Sequence, residues 1–149
     1  MLLRCKSKRL LFVDATSNDG VALCNWIDFS QKGCYKFYDK IVYRPLQFKR
    51  DYANQSLLES FLKKVLGKKY RLSPLRMIQK YSDIDSVTNI SENKGYFCSE
   101  LVASIFKLLG FLPNNISSAQ YWPGSFSAEE NLTLSNGAAF GDEYLIEFN

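Results

Sequence analysis

The chain has 149 residues, with 19 lysines and arginines against 15 acidic residues, a net charge of +4 and no histidine. Hydrophobic residues make up 46% and aromatics 15%, which suits one buried core and excludes a disordered chain. No apolar run approaches the ~18–20 residues of a membrane span. The apolar run at 10–13 is too short for a signal-peptide core, so residues 1–149 are expected to form a single cytoplasmic domain.

In chain order, residues 2–5 and 9–15 read as two strands around a turn at Lys6-Ser7-Lys8. The second is apolar on both faces (Leu10 and Phe12 against Leu11 and Val13), as a central strand would be. Asn18-Asp19-Gly20 signals a tight turn, and 21–23 a third strand. Residues 25–31 predict a short helix carrying Trp26, Ile27 and Phe29. Residues 38–43 alternate polar and apolar and predict a strand ended by Pro45. Leu57, Leu58, Phe61, Leu62, Val65 and Leu66 recur at helical spacing, with Gly67 as the stop. Pro74 opens a second short helix through Met77 and Ile78, and 83–94 is a polar loop. Residues 97–109 form a third helix with Leu101, Val102, Ile105, Leu108 and Leu109 inward, capped by Gly110. Tyr121-Trp122-Pro123-Gly124 is an aromatic turn, and 144–148 a closing strand. Helices on a mostly antiparallel sheet make the fold α+β.

The four cysteines, at 5, 24, 34 and 98, show no C-x-x-C spacing, so without histidine neither a metal site nor a cofactor is expected. Cys24 and Cys34 read either as a local disulfide or as small buried thiols, the latter fitting a reducing compartment. Cations read as dispersed, the one local cluster being Arg4, Lys6, Lys8 and Arg9. A solvated turn accounts for it, and no nucleic-acid partner is expected.

Cys98 sits in the first turn of an apolar helix. Unpaired backbone N–H groups and the helix dipole there favour a thiolate, and the same N–H groups can hold a developing oxyanion. The competing reading is a buried cysteine that opens a core helix. Gly67-Lys68-Lys69-Tyr70, followed after a spacer by Tyr96-Phe97-Cys98-Ser99-Glu100-Leu101-Val102, resembles the G-x-x-Y … F-C-S-E-L-V pattern of the circularly permuted, papain-like NlpC superfamily of cysteine hydrolases. The YiiX-like branch is the most similar. Its weaker segments are matched by 11–16 with Asp19-Gly20-Val21, by Val42-Tyr43-Arg44-Pro45-Leu46, by Leu108-Leu109-Gly110 and by 121–127. The resemblance implies a permuted papain-like (NlpC-type) fold, with Cys98 as nucleophile, Asp14 as the acidic residue orienting the base, and Tyr70 near the substrate or oxyanion. Asp14 also reads as a strand-end carboxylate capping a turn, and Tyr70 as a packed aromatic. Glu100 reads as support for the helix N-terminus.

The family's base is a histidine on the strand before the acidic residue, and none exists here. If Cys5 pairs with Arg9 around the three-residue turn, paired positions sum to about 14. The residue facing Asp14 then falls one position before Met1, and the next on that face two further upstream. Two readings stand: the chain is N-terminally incomplete, with Met1 internal, or it is an inactive relative. The expected function is cysteine-dependent hydrolysis of amide or ester bonds in peptide-like or acyl-lipid substrates, silent in this His-free form. The alternatives are a non-catalytic ligand-binding domain of the same fold, a structural core with no ligand, and an acyl transferase sharing the thioester stage.

Overall fold

A computed structural model describes residues 1–4, 7–72 and 95–148. Three strands, β1 (Leu2–Arg4), β2 (Leu10–Thr16) and β3 (Gly20–Asn25), form an antiparallel sheet in the order β1-β2-β3. β2 is central, as its two apolar faces require. The β1–β2 pairs are Leu2 with Phe12, Leu3 with Leu11 and Arg4 with Leu10, so the register is the one the short turn dictates. Pairing continues through Met1, whose amino group donates to the Val13 carbonyl and whose carbonyl accepts from the Val13 N–H, each at 2.9 Å. Gly20, at φ 67°, makes the turn into β3, a left-handed conformation that glycine adopts without a side-chain penalty.

Asn25 caps the next helix, α1 (Trp26–Gln31), by accepting the Ile27 N–H at 3.0 Å. Gly33, also left-handed at φ 68°, turns the chain into a 3-10 turn at Cys34–Phe37. The strand expected over 38–43 shortens to β4 (Val42–Tyr43), paired with β7 (Tyr144–Leu145). Only from Ile41, whose carbonyl accepts the Ile146 N–H at 2.9 Å, does the C-terminal segment run alongside. Beyond Pro45, β5 (Leu46–Gln47) pairs with β6 (Ala139–Phe140). Arg44 ties these pieces together. Its guanidinium donates to the carbonyls of Gly141, Phe126 and Ser127 at 3.1, 2.8 and 2.8 Å and lies 4.4 Å from the centre of the Phe140 ring.

α2 (Tyr52–Val65) begins five residues before its apolar stripe, because Asp51 caps it by accepting the Asn54 N–H at 2.8 Å. Its buried stripe is Phe61 and Val65, with Leu58 and Leu62 packed beside them. Leu57 and Leu66 fall outside this stripe and are 45% and 38% exposed. The helix expected at Pro74 and the loop at 83–94 lie outside the described residues. α3 (Cys98–Leu108) follows, and Gly110 at φ 72° ends it.

One core joins these layers. Val13, Ala15 and Val21 from the sheet meet Phe61 and Val65 from α2, and Leu101, Ile105 and Phe106 from α3. Each of the larger side chains contributes roughly 1.5–3 kcal/mol by leaving water, and Ala15 less. The architecture is mixed α+β with small antiparallel sheets. Among the described residues, no helix is long and apolar enough to cross a membrane.

Candidate functional site

Cys98 is the first residue of α3, after Phe97 in extended conformation at φ −99° and ψ 165°. Phe97 contributes no side-chain hydrogen bond to the helix start, so no side chain of the capping residue takes up the N–H groups of the first turn. Cys98 is half-buried, while Ser99, Glu100 and Leu101 behind it are buried. The helix therefore presents its thiol at the edge of the core and anchors itself through the residues that follow. Glu100 in the first turn and Lys107 in the last are placed as the helix dipole favours.

The approach to Cys98 is built by a second segment. Tyr70 and Tyr96 form a parallel bridge. The Arg71 N–H donates to the Tyr96 carbonyl at 3.2 Å, and the Tyr96 N–H to the Lys69 carbonyl at 3.1 Å. This brings Gly67-Lys68-Lys69-Tyr70 beside the strand that leads into Cys98. Gly95 makes the approach feasible: a Cβ there would stand 2.6 Å from both the Lys69 carbonyl oxygen and the Arg71 Cβ. Tyr70 itself is half-buried against the core.

Asp14 lies opposite Ala22 on β2, half-buried, with its Oδ1 accepting the Ala15 N–H at 2.8 Å. Alternation along the strand puts Asp14 on the face of Phe12, Ala22 and Cys24, opposite Val13, Ala15 and Val21, which enter the core. The charges of Asp14 and Cys98 nevertheless meet at two common points. Burial lowers the pKa of the Met1 amino group from its ordinary value, and Asp14 and then Cys98 oppose that shift. Burial raises the pKa of the Tyr38 hydroxyl, and Asp14, Cys34, Cys24 and Cys98 raise it further, in that order.

Tyr38 is the neighbour that sequence reading missed. Nothing in its spacing marks it, since it reaches the site only because Gly33 and the 3-10 turn fold the chain back. It also lines a shallow cleft of about 240 Å³ together with Tyr35, Asp39, Ile41, Leu145 and Phe148. Tyr35 and Phe148 stack there with ring centres 4.1 Å apart. Cys24 and Cys34 carry free thiols. Burial raises the Cys24 thiol pKa, and the charges of Asp14, Asp19 and Cys34 add to the shift against Lys32. Among the described residues no group of histidine, cysteine and acidic side chains could hold a metal ion. The chain matches no family model, no curated protein and no solved structure.

Proposed function

We propose that the chain is a permuted papain-like domain of the NlpC superfamily type, similar to its YiiX-like branch, in which Cys98 is the nucleophile for cleaving an amide or ester. The observation that supports this most is the Tyr70–Tyr96 bridge. It joins the two separated halves of the motif beside a half-buried cysteine that opens a helix. In the reaction, the Cys98 sulfur attacks the substrate carbonyl, and the oxyanion forms against the first-turn N–H groups of α3. The intermediate expels an amine or alcohol, which takes up a proton, and leaves a thioester that water hydrolyses. This chain supplies no histidine for these proton transfers; the role the resemblance implies for Asp14 is to orient such a base where one is present. Tyr70, half-buried beside the bridge to Tyr96, is the residue the resemblance implies near the substrate.

The chain has no histidine, and this favours a second state of the same site, in which the 149-residue form binds substrate and hardly turns it over. The β1–β2 register supports a position at which an added histidine would face Asp14. With Leu2 facing Phe12, a residue directly before Met1 faces Asp14, and the next on that face lies two positions further upstream. The test compares hydrolysis of a thioester by the chain as it stands and by versions extended with a histidine at either position. Extension is expected to raise turnover by about 10²-fold or more, and Cys98→Ala to abolish the gain. Equal turnover by both lengths, unchanged by Cys98→Ala, would remove Cys98 from the chemistry.

A further inference from the structure

Asn136 is the one asparagine of the sequence that a glycine follows. The Ala138 N–H donates to the Ser135 carbonyl at 3.1 Å, and Asn136 and Gly137 between them are both left-handed, at φ 56° and 71°. This is the tight turn that Asn-Gly favours. Both residues are exposed, and among the described residues nothing would lie within 4 Å of a Cβ on Gly137. The Gly137 backbone nitrogen, next in the chain after the Asn136 amide, is shielded by no side chain of its own.

The same turn is fastened to the end of α3. The Asn136 Nδ2 donates to the Gly110 carbonyl at 2.9 Å, and the Ser135 N–H to the Phe111 carbonyl at 2.9 Å. Gly110 leaves room for this, since a Cβ there would run into the Asn136 Nδ2. Phe111 and Ala138, the residues that follow the two joined positions, are buried in the core. The Asn136 amide therefore links the end of the helix that Cys98 opens to the turn that leads into β6.

We infer that Asn136 is a site of spontaneous deamidation, and that the change releases the 135–138 turn from the end of α3. The Gly137 nitrogen attacks the Asn136 Cγ, the Cγ–Nδ2 bond breaks, and ammonia leaves with the proton of the Gly137 N–H. Water then opens the five-membered imide at either carbonyl, giving aspartate or isoaspartate. Aspartate tolerates the left-handed backbone as asparagine does, but it has no N–H to give and sets a carboxylate against the Gly110 carbonyl. Isoaspartate lengthens the backbone inside the turn. The fold slows the attack, because the bond to Gly110 must break before the side chain can swing to the Gly137 nitrogen. The reaction needs only water and is independent of the thiol chemistry.

The test ages the full chain in mildly alkaline buffer, folded and in urea, and follows the amide-to-acid mass change by peptide mass spectrometry. Asn136 is expected to convert before any other asparagine in both conditions, and more slowly in the folded chain. Gly137→Ala should slow the conversion in urea, because a methyl group then crowds the attacking nitrogen. The aged chain, separated by ion exchange, and Asn136→Asp should each raise the unfolded fraction roughly fivefold, the loss expected for one hydrogen bond. The aged chain gives this comparison even where the variant does not fold. Earlier conversion of another asparagine, conversion as fast in the folded chain as in urea, or an aged chain as stable as the fresh one would overturn the proposal.

Discussion

Cys24 and Cys98 are both half-buried thiols, and they differ in what surrounds them. Burial raises the Cys24 thiol pKa above its ordinary value, and the charges of Asp14, Asp19 and Cys34 add to the shift. Cys98 opens α3 at the edge of the core. Alkylation with iodoacetamide near neutral pH, followed by peptide mass spectrometry, is therefore expected to modify Cys98 well before Cys24. Faster labelling of Cys24 would show that burial and the neighbouring charges do not suppress its thiolate. Arg44 shows the opposite kind of residue. It belongs to a motif segment, but its guanidinium is occupied by three carbonyls and an aromatic ring, so its role is to hold the C-terminal segment in place.

At the scale of elements, glycines decide where segments approach. Gly20 and Gly67 are both left-handed, at φ 67° and 79°, and they differ in what surrounds them. A Cβ on Gly20 would run into the Lys68 carbonyl oxygen, whereas nothing lies within 4 Å of one on Gly67. Gly67→Ala should cost about 1 kcal/mol, the penalty of the backbone conformation alone. Gly20→Ala should cost at least about 2 kcal/mol, because the β3 contact with the Lys68 segment must also shift. Urea unfolding of both variants measures the difference, and equal costs would mean that the contact yields without strain. The same crowding at Gly95 shows that the junction before Cys98 depends on an absent side chain.

For the whole molecule, the core sets how stability responds to alkaline pH. Tyr121 is buried at 7% exposure beside Phe126, and burial raises its hydroxyl pKa above the ordinary value. A raised folded-state pKa means the folded chain keeps its proton where the unfolded chain releases it. That contribution is complete below about pH 10 and is lost as pH rises through the folded value. Cys24 and Tyr38 shift in the same direction. Thermal melting from neutral pH to above pH 10 should therefore show a fall in Tm that Tyr121→Phe reduces. A variant that loses as much as the parent would mean the hydroxyl is not desolvated in the fold.

Local periodicity and turn chemistry determined a large part of this molecule. A short turn and a pleat of period two were sufficient to set which residues of β1 and β2 face each other, because an antiparallel pair has no freedom left once its turn is placed. The apolar spacing of α3 likewise specified a helix from Cys98 with Leu101 and Ile105 inward. The resemblance to an NlpC-type motif, and not periodicity or spacing, singled out Cys98, Asp14 and Tyr70 as candidates. Tertiary structure alone decided where distant pieces meet. β4 and β5 are two residues each because a C-terminal partner runs beside only that much of the chain. Leu57 and Leu66 match the helical period, yet among the described residues no core element covers them. Tyr38 reaches the field of Asp14 and Cys98 through a fold-back at Gly33, and the Tyr70–Tyr96 bridge forms because Gly95 leaves room for it. Side-chain periodicity records which way a residue points along its own element. The neighbour it points at depends on how several elements close on one core, and that is a property of the packed whole.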